Sequence, residues 1–524
     1  MESVESLLIV TRERPDDRRF GLGRSLDPVV AELHRRGVRV AYLSQEDAGS
    51  RGLAWLQRWR PGFARWLKRR FPGTDAQALA GGILERLNMG RLAAKVAFRD
   101  EISHVHCHDP IITAGFQWWR WWYGGLRARQ VRHGLTQHGF GSYTQALHED
   151  GAPLDAGAMA WLRRWEAGIL RRADWVMTPT QAGRAQLARD LGVYPLPAHW
   201  QVVPHPRPAL SFPPRNEARA QLAWDPDWFV VLGVGRDAPL KRFVDLIHAC
   251  ARINDERLRL VLLGPGESVA LRRIAADAGL GARLILAASW EPAVYYAAAD
   301  VYVSASETES FGLANVEALA AGLPAIVTAV GGVPEVVGNA AWLVPPRQPV
   351  LIADAITCLL RSPEERRAWS DRAQARMRQW PDAAAVAEGY LQVYRGAPVT
   401  PGLSRQLPLE MPVSKPLSVY PLPRRLEITA RRLLVLAPHP ETRLWGWEGC
   451  SPPPVPWVGR FGWWRSAPVR QAIPKAGLTN LRLISAAGNC VVRWRCWVSK
   501  TWSSGTNPTA IARILPDYGG VSGK

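Results

Sequence analysis

Asp300-Val301-Tyr302-Val303-Ser304-Ala305-Ser306, and after Glu307-Thr308 the run Glu309-Ser310-Phe311-Gly312-Leu313-Ala314-Asn315-Val316-Glu317, is the stretch that decides the fold. The first half is a short apolar run that reads as a buried parallel strand. It empties into a glycine-containing loop, and a helix begins there. Open α/β sheets bind ligands outside the carboxyl ends of their strands, and a helix start offers free N–H groups to an anion. Glu309 in the loop and Glu317 two turns into the helix would accept hydrogen bonds from hydroxyls on either side of that anion. Ribose, diphosphate and sugar follow one another in this way in a nucleotide-sugar.

Working outward, the same pattern recurs. Apolar runs at Trp228–Gly235, Arg259–Gly264, Leu284–Ala287 and Ala325–Val330 surround the quoted strand, with helical sequence between them. An earlier set lies at Leu7–Thr11, Val38–Leu43, His104–His108, Val131–His138, Trp175–Thr180 and Gln201–Pro204. Strands alternating with helices imply two doubly wound, Rossmann-like α/β domains facing a cleft. The reading assigns residues 1–205 to an acceptor domain, 206–222 to a proline-rich linker and 223–380 to a donor domain. A helix over 381–395 crosses back to the first domain, and a second proline-rich linker follows over 396–430. The first strand of this second block ends Gly233-Val234-Gly235-Arg236-Asp237-Ala238-Pro239-Leu240-Lys241, two cations astride a strand-to-helix turn. Taken alone they are ordinary surface charges. Beside two glutamates in the same sheet they suit a diphosphate, whose charge needs local cations and N–H donors.

Together these elements resemble the group 1 (family 4) retaining glycosyltransferases of GT-B fold. The resemblance rests on Gly235-Arg236…Lys241, Gly264-Pro265-Gly266, Tyr295–Ser306, Glu309…Glu317 and Ala321-Gly322-Leu323-Pro324…Gly331-Gly332-Val333-Pro334-Glu335, and covers roughly residues 5–395. It implies that Arg236 and Lys241 hold the donor diphosphate, that Glu309 contacts the transferred sugar and Glu317 the ribose, and that the backbone of Phe311, Gly312, Leu313 and Ala314 lines the sugar–phosphate site. It also places Gly21 and Gly23 of Phe20-Gly21-Leu22-Gly23-Arg24 beside the donor phosphate, and His138 near the transferred sugar. His108–Asp109 is assigned to the cleft wall. The spacing of His104, His106 and His108 is a poor metal site, and the resemblance calls for no metal or cofactor, the nucleotide-sugar being a co-substrate. Retention is inherited from the family, with same-face departure of the nucleoside diphosphate; no carboxylate stands out as a nucleophile. The sequence departs from the family twice. Arg242 replaces the usual glycine after the lysine, which adds charge near the phosphates, and His205-Pro206 replaces the usual Asn-Gly.

Composition narrows the remaining classes. A formal charge of +20 over 524 residues suggests nucleic acid, anionic lipid or phosphorylated substrates as partners. Six cysteines without metal-ligand spacing and an acidic, polar start without a secretion signal fit a reduced, cytoplasmic protein. Arg51–Phe71 interleaves tryptophans with arginines, which suits a solvated amphipathic helix or the inner face of an anionic membrane and a lipid-linked or envelope-saccharide acceptor. Trp118-Trp119-Arg120-Trp121-Trp122 extends that pattern.

Arg431–Pro440 resembles the start of the PIG-L/LmbE-type zinc N-deacetylases, but the acidic residues that should follow Pro438-His439-Pro440 are missing. From 441 to 524 there are 11 Lys/Arg against 3 Asp/Glu and 8 of the 25 tryptophans, a composition that a shifted frame in GC-rich DNA produces. The reading expects a deacetylase-like remnant over 431–524, without activity and with little ordered structure after about 440. This tail carries +8 of the net charge (11 minus 3), which weakens the nucleic-acid reading, and no nucleic-acid partner is expected. The rivals are an N-acetyl-sugar deacetylase fusion, a basic nucleic-acid-binding protein and a nucleotide-sugar epimerase of the same fold.

Overall fold

The computed structural model describes residues 4–13, 21–264, 266–399 and three strands near the carboxyl end. The chain separates into two compact units, Met1–Leu422 and Pro423–Lys524. In the second unit, in the region where little regular structure is expected, the described residues are three antiparallel strands, Thr479–Ile484, Val491–Lys500 and Ala510–Leu515. The Pro438-His439-Pro440 motif and the start of the basic, tryptophan-rich composition lie outside the described residues.

The first unit is built on two six-stranded parallel sheets. The amino-terminal lobe holds β1 (Ser6–Val10), β2 (Arg39–Leu43), β3 (His104–Cys107), β4 (Arg132–Thr136), β5 (Trp175–Thr178) and β6 (Trp200–Val202), in the order β2-β1-β3-β4-β5-β6. The second lobe holds β7 (Phe229–Val234), β8 (Leu258–Leu263), β9 (Leu284–Ala287), β10 (Val301–Ser304), β11 (Ala325–Thr328) and β12 (Trp342–Val344), in the order β12-β11-β10-β7-β8-β9. Helices cover both faces of the sheets, so β1, β3 and β5 are buried at every residue; β1 is almost wholly apolar, whereas β3 buries two histidines. Sequence reading missed β12. It has three residues, only Val344 of them buried, directly before Pro345-Pro346.

Seven helices shape the first lobe: α1 (Gly21–Arg35), α2 (Gly49–Arg70), α3 (Ala76–Arg99), α4 (Pro110–Gly124), α5 (Tyr143–Glu149), α6 (Ala156–Arg171) and α7 (Gln181–Leu191). Asp75, Asp109, Ser142, Asp155 and Thr180 cap α3 to α7, each accepting a backbone N–H of the first turn. Each cap contributes about 1 kcal/mol. The helix Ala383–Tyr394, late in the chain, completes this lobe. Its Val386, Tyr390, Leu391 and Tyr394 share a core with Leu7, Ile9, Leu26, Leu33 and Trp175, and Arg36 pairs with Glu388.

Strand order determines where ligands bind. In the second lobe the chain runs β7, β8, β9 to one side and then returns to place β10 on the other side of β7. Neighbouring loops after β7 and β10 therefore diverge and leave a crevice, the switch point at which doubly wound sheets take ligands. In the first lobe the corresponding crevice lies between β1 and β3.

Candidate active site

The loop after β7 carries Arg236 and Lys241, and the loop after β10 carries Glu309, so the switch point joins them. Lys241 Nζ donates to Glu309 Oε2 at 2.6 Å, both side chains about a quarter exposed. Arg236 stands exposed on the same turn. The Lys241 stem lies across Gly235, where a Cβ would sit 3.3 Å from it. The structure thus pairs Lys241 with the first glutamate and leaves Arg236 exposed on the same turn as Lys241.

Gly312, at φ +78°, turns the chain into the helix Leu313–Ala320. Asn315 N makes the first bond back to Gly312 O, at 2.9 Å, so the N–H groups of Leu313 and Ala314 precede the helical ladder. The Phe311 ring turns away from the crevice and packs edge-on against His205 and Trp380, with centroids 4.8 and 5.8 Å away. Only its backbone remains available to a ligand. The loop is braced from behind: a Cβ on Gly332 would lie 2.0 Å from Ser310 O, and one on Gly331 equally close to Glu309 O. Only glycine allows that approach.

Glu317 is buried. Its carboxylate accepts from Tyr296 Oη at 2.9 Å and pairs with Arg24 Nη2 at 2.9 Å. Burial raises its pKa, against the pull of Arg24 and the tyrosine. Arg24 follows Gly23 in the first turn of α1, which holds both Gly21 and Gly23 instead of a loop, and this helix start reaches the second lobe through a guanidinium. Sequence reading named Gly21 and Gly23 and missed Arg24. Its signal was there, a cation beside the glycines, but its partner is 293 positions away in the chain.

His138 follows β4. Its Nε2 lies 2.7 Å from His108 Nδ1, and its ring stacks on His108 and on His205 at 5.0 and 5.5 Å. The residues at the Asn-Gly position of the family therefore do structural work: the His205 ring fills the seam between His138 and Phe311, and its carbonyl accepts from Trp380 Nε1. Phe140, two residues after His138, lies against Gly331 behind Glu309, so the β4 and β10 loops meet.

Two expectations need correction. Asp109 is not part of the cleft wall: it accepts from Ile111 N and Ile112 N and pairs with Arg86 Nε at 2.7 Å, which makes it the cap of α4. Arg242 does not add its charge to the phosphate site. It adopts φ +51°, the left-handed backbone that explains the family's glycine, and its guanidinium turns to Asp245. His104 and His106 also face inward. His106 bonds Tyr394 Oη and Thr136 Oγ1, and His104 packs against Trp175 and Tyr394.

A second contact closes the lobes. Glu335 of the second lobe accepts from Gln181 N and Ala182 N, at 2.9 and 3.0 Å, at the amino end of α7 in the first. Thr180 Oγ1 donates to Ser310 O. A carboxylate at a helix start gains from the free N–H groups and the helix dipole.

The buried imidazoles make stability depend on pH. Burial pushes His106 down to about 3 and His205 to about 4, and holds His108 and His138 well below the ordinary value. These rings are neutral in the fold and take protons only on unfolding, so their contribution is complete above about pH 6.5 and is lost as pH falls. Burial raises Glu166, to about 7, and Glu317; these run the other way and gain stability over part of the same range. Burial lowers His133 as well, so the imidazoles outnumber the two carboxyls and the net effect is a loss of stability as pH falls below about 6.5. The melting temperature should fall steeply below that pH; a flat profile would contradict the neutral histidine column.

Two facing doubly wound lobes with ligand loops at both switch points define the GT-B class. The fold matches sucrose-phosphate synthase from Thermosynechococcus elongatus with a TM-score of 0.57 at 21% identity, over 75% of this chain and 98% of that one. Anabaena HepE, solved in complex with UDP-glucose, matches at 0.52 and 16%, again over 75% and 98%. Residues 21–208 match the family described as Glycosyltransferase Family 4, and residues 214–376 the one described as Glycosyl transferases group 1. A D-inositol 3-phosphate glycosyltransferase of Kineococcus radiotolerans is 34% identical over 48% of this chain and 63% of its own length. One from Catenulispora acidiphila is 30% identical over 56% and 72%. The chain belongs to the group 1, family 4 glycosyltransferases. It spans between about half and two thirds of the length of the first relatives it matches (63%, 48% and 55%).

Proposed function

We propose that the chain transfers a sugar from a nucleoside-diphosphate-sugar to an acceptor hydroxyl with retention of configuration, the acceptor being a saccharide or a lipid-linked molecule. The observation that carries this reading is the Lys241–Glu309 pair at the β7/β10 switch point, beside Arg236 and the start of the helix Leu313–Ala320. In the free protein Lys241 neutralises Glu309. Donor entry replaces that contact: the diphosphate takes Lys241 and Arg236, and a sugar hydroxyl donates to Glu309. As the glycosidic bond breaks, negative charge grows on the leaving diphosphate, where the two cations and the N–H groups of Leu313 and Ala314 stabilise it. Fixed charges of this kind act without reorganising in the transition state. This reading assigns the charge to the protein and calls for no metal.

Glu317 and Arg24 belong to the nucleoside side. A ribose hydroxyl donating to Glu317 competes with Arg24, and Arg24, once released, lies on the helix start the resemblance puts beside the phosphates. His138 faces the transferred sugar in this arrangement. The relatives are named D-inositol 3-phosphate glycosyltransferases, which makes a phosphorylated polyol a first acceptor to try. The donor reading is tested by thermal denaturation with UDP-, GDP-, ADP- and TDP-sugars. A donor at 100 times its dissociation constant should add about 2.7 kcal/mol. A panel in which no nucleotide-sugar raises the melting temperature overturns the assignment.

A further inference from the structure

The first lobe presents an aromatic and basic face that the donor cleft does not use. Helix α2 carries seven Lys/Arg and no Asp or Glu, and buries only Gly52, Ala64 and Leu67. The segment from Pro110 to Arg129 adds three arginines, again without an acid. Between these cations large apolar side chains stand in water: Trp118 is 73% exposed, Trp122 78% and Leu126 87%, with Trp59 and Trp66 about half exposed. Arg58 lies over the Trp59 ring and Arg120 over Trp121. Among α2, α3, α4 and α6 runs a groove of about 470 Å³, walled by Phe63, Leu87, Trp118, Trp161 and Trp165, with Arg172 at its rim. Soluble surfaces rarely leave aromatic area of this extent uncovered unless something binds there.

We propose that this face docks on a bilayer rich in anionic phospholipid, with the exposed indoles at headgroup depth and one acyl chain in the groove. Charge complementarity identifies the occupant. Ten cations without one acid among them, interleaved with tryptophan, match a negatively charged interface where aromatic rings and basic residues collect. The groove adds what a nucleic acid would not need, a slot with apolar walls and a single guanidinium at its mouth, the layout of a chain below a phosphate. The start of α4 and the α3 residues beside it lie at the sheet end that holds the cleft, whereas Trp122 and Leu126 sit at the far end of α4, near the start of β4. α4 starts at Pro110, directly after His108 and the capping Asp109, and Arg86 of α3 pairs with that cap. A docked lobe would hold the cleft close to the lipid surface. The consequence for the acceptor, a hydroxyl carried on a membrane lipid, rests on the proposed transfer function; the docking itself does not.

The test is co-sedimentation of the full chain with vesicles of phosphatidylcholine alone or with phosphatidylglycerol, at low salt and at about 0.5 M salt, where screening is nearly complete at contact distances. The wild type should pellet with anionic vesicles at low salt only. The combined Trp59→Ser, Trp118→Ser and Trp122→Ser variant should bind at least about tenfold more weakly at an unchanged melting temperature, because these rings support little of the core. A second variant, Arg58→Gln with Arg65→Gln and Arg69→Gln, should lose the anionic preference. Failure of the wild type to bind anionic vesicles overturns the proposal. So does binding that both variants retain, which would assign it to the basic tail, or release on competition with single-stranded DNA. Loss of a dimer in the tryptophan variant, measured by light scattering without any vesicle binding, would make a second copy the occupant and overturn it equally. Nucleotide-sugar thermal shifts run beside it separate the two readings: vesicle binding without a donor shift defeats the transfer function alone, and a donor shift without vesicle binding defeats the docking alone.

Discussion

Lys241→Ala should lower turnover by about 100- to 1000-fold, the loss seen when one preorganised donor to a developing oxyanion is removed. Lys241 is the cation closest to Glu309 and lies at the mouth of the β7/β10 crevice, where the leaving diphosphate would sit. The substitution should not cost the fold, because the ammonium is partly in water and its partner is too. The freed Glu309 would then meet an incoming diphosphate without a cation between them, which adds repulsion to the lost stabilisation. Steady-state release of nucleoside diphosphate measures the outcome, and the decisive quantity is kcat. If kcat is unchanged and only the Michaelis constant rises, Lys241 binds ground and transition states equally and the electrostatic role is withdrawn.

Removal of the carboxylate at Glu309 should be nearly as severe, about 100-fold in kcat/KM for Glu309→Ala, equal to roughly 2.7 kcal/mol, within the range of a hydrogen bond to a charged group. Its position is imposed by backbone: the Glu309 and Ser310 carbonyls rest on Gly331 and Gly332, so the loop should keep its path when the side chain is cut. Glu309→Gln preserves shape and removes charge. If the carboxylate accepts a sugar hydroxyl, Gln should recover part of the activity, since its carbonyl still accepts. Because Lys241 and Glu309 touch, the double alanine variant should fall short of the product of the two single losses. Full wild-type kcat/KM in Glu309→Ala would remove this residue from the site.

The strands were legible because parallel strands buried on both faces are nearly all apolar, as in β1 and β7. β12 was not, being three residues of an edge strand with two half-exposed side chains. The Glu309/Glu317 pair and Arg236/Lys241 were legible for a related reason: each pair sits on a single loop or helix start, so its spacing survives in one dimension. What escaped is what crosses from lobe to lobe. Arg24 finds Glu317, Glu335 finds the start of α7, and His205 wedges between His138 and Phe311, through separations that no local pattern records. Arg242 and Asp109 misled because charge was read without direction. Both sit near the crevice in sequence, but Arg242 turns to Asp245 in the helix after it, and Asp109 serves the start of α4 and Arg86 of α3.

The place of the helix Ala383–Tyr394 matters during synthesis. Its tyrosines close the floor of the amino-terminal lobe, over strands translated hundreds of codons earlier, and Tyr394 supplies the hydroxyl that His106 needs. As the nascent chain leaves the ribosome, that lobe waits with an open seam until the whole second lobe has emerged. The first lobe is therefore not a self-sufficient fragment. A stop codon anywhere before residue 399 would strand an unfinished first lobe, because Val399 lies in the same core as Tyr390 and Tyr394.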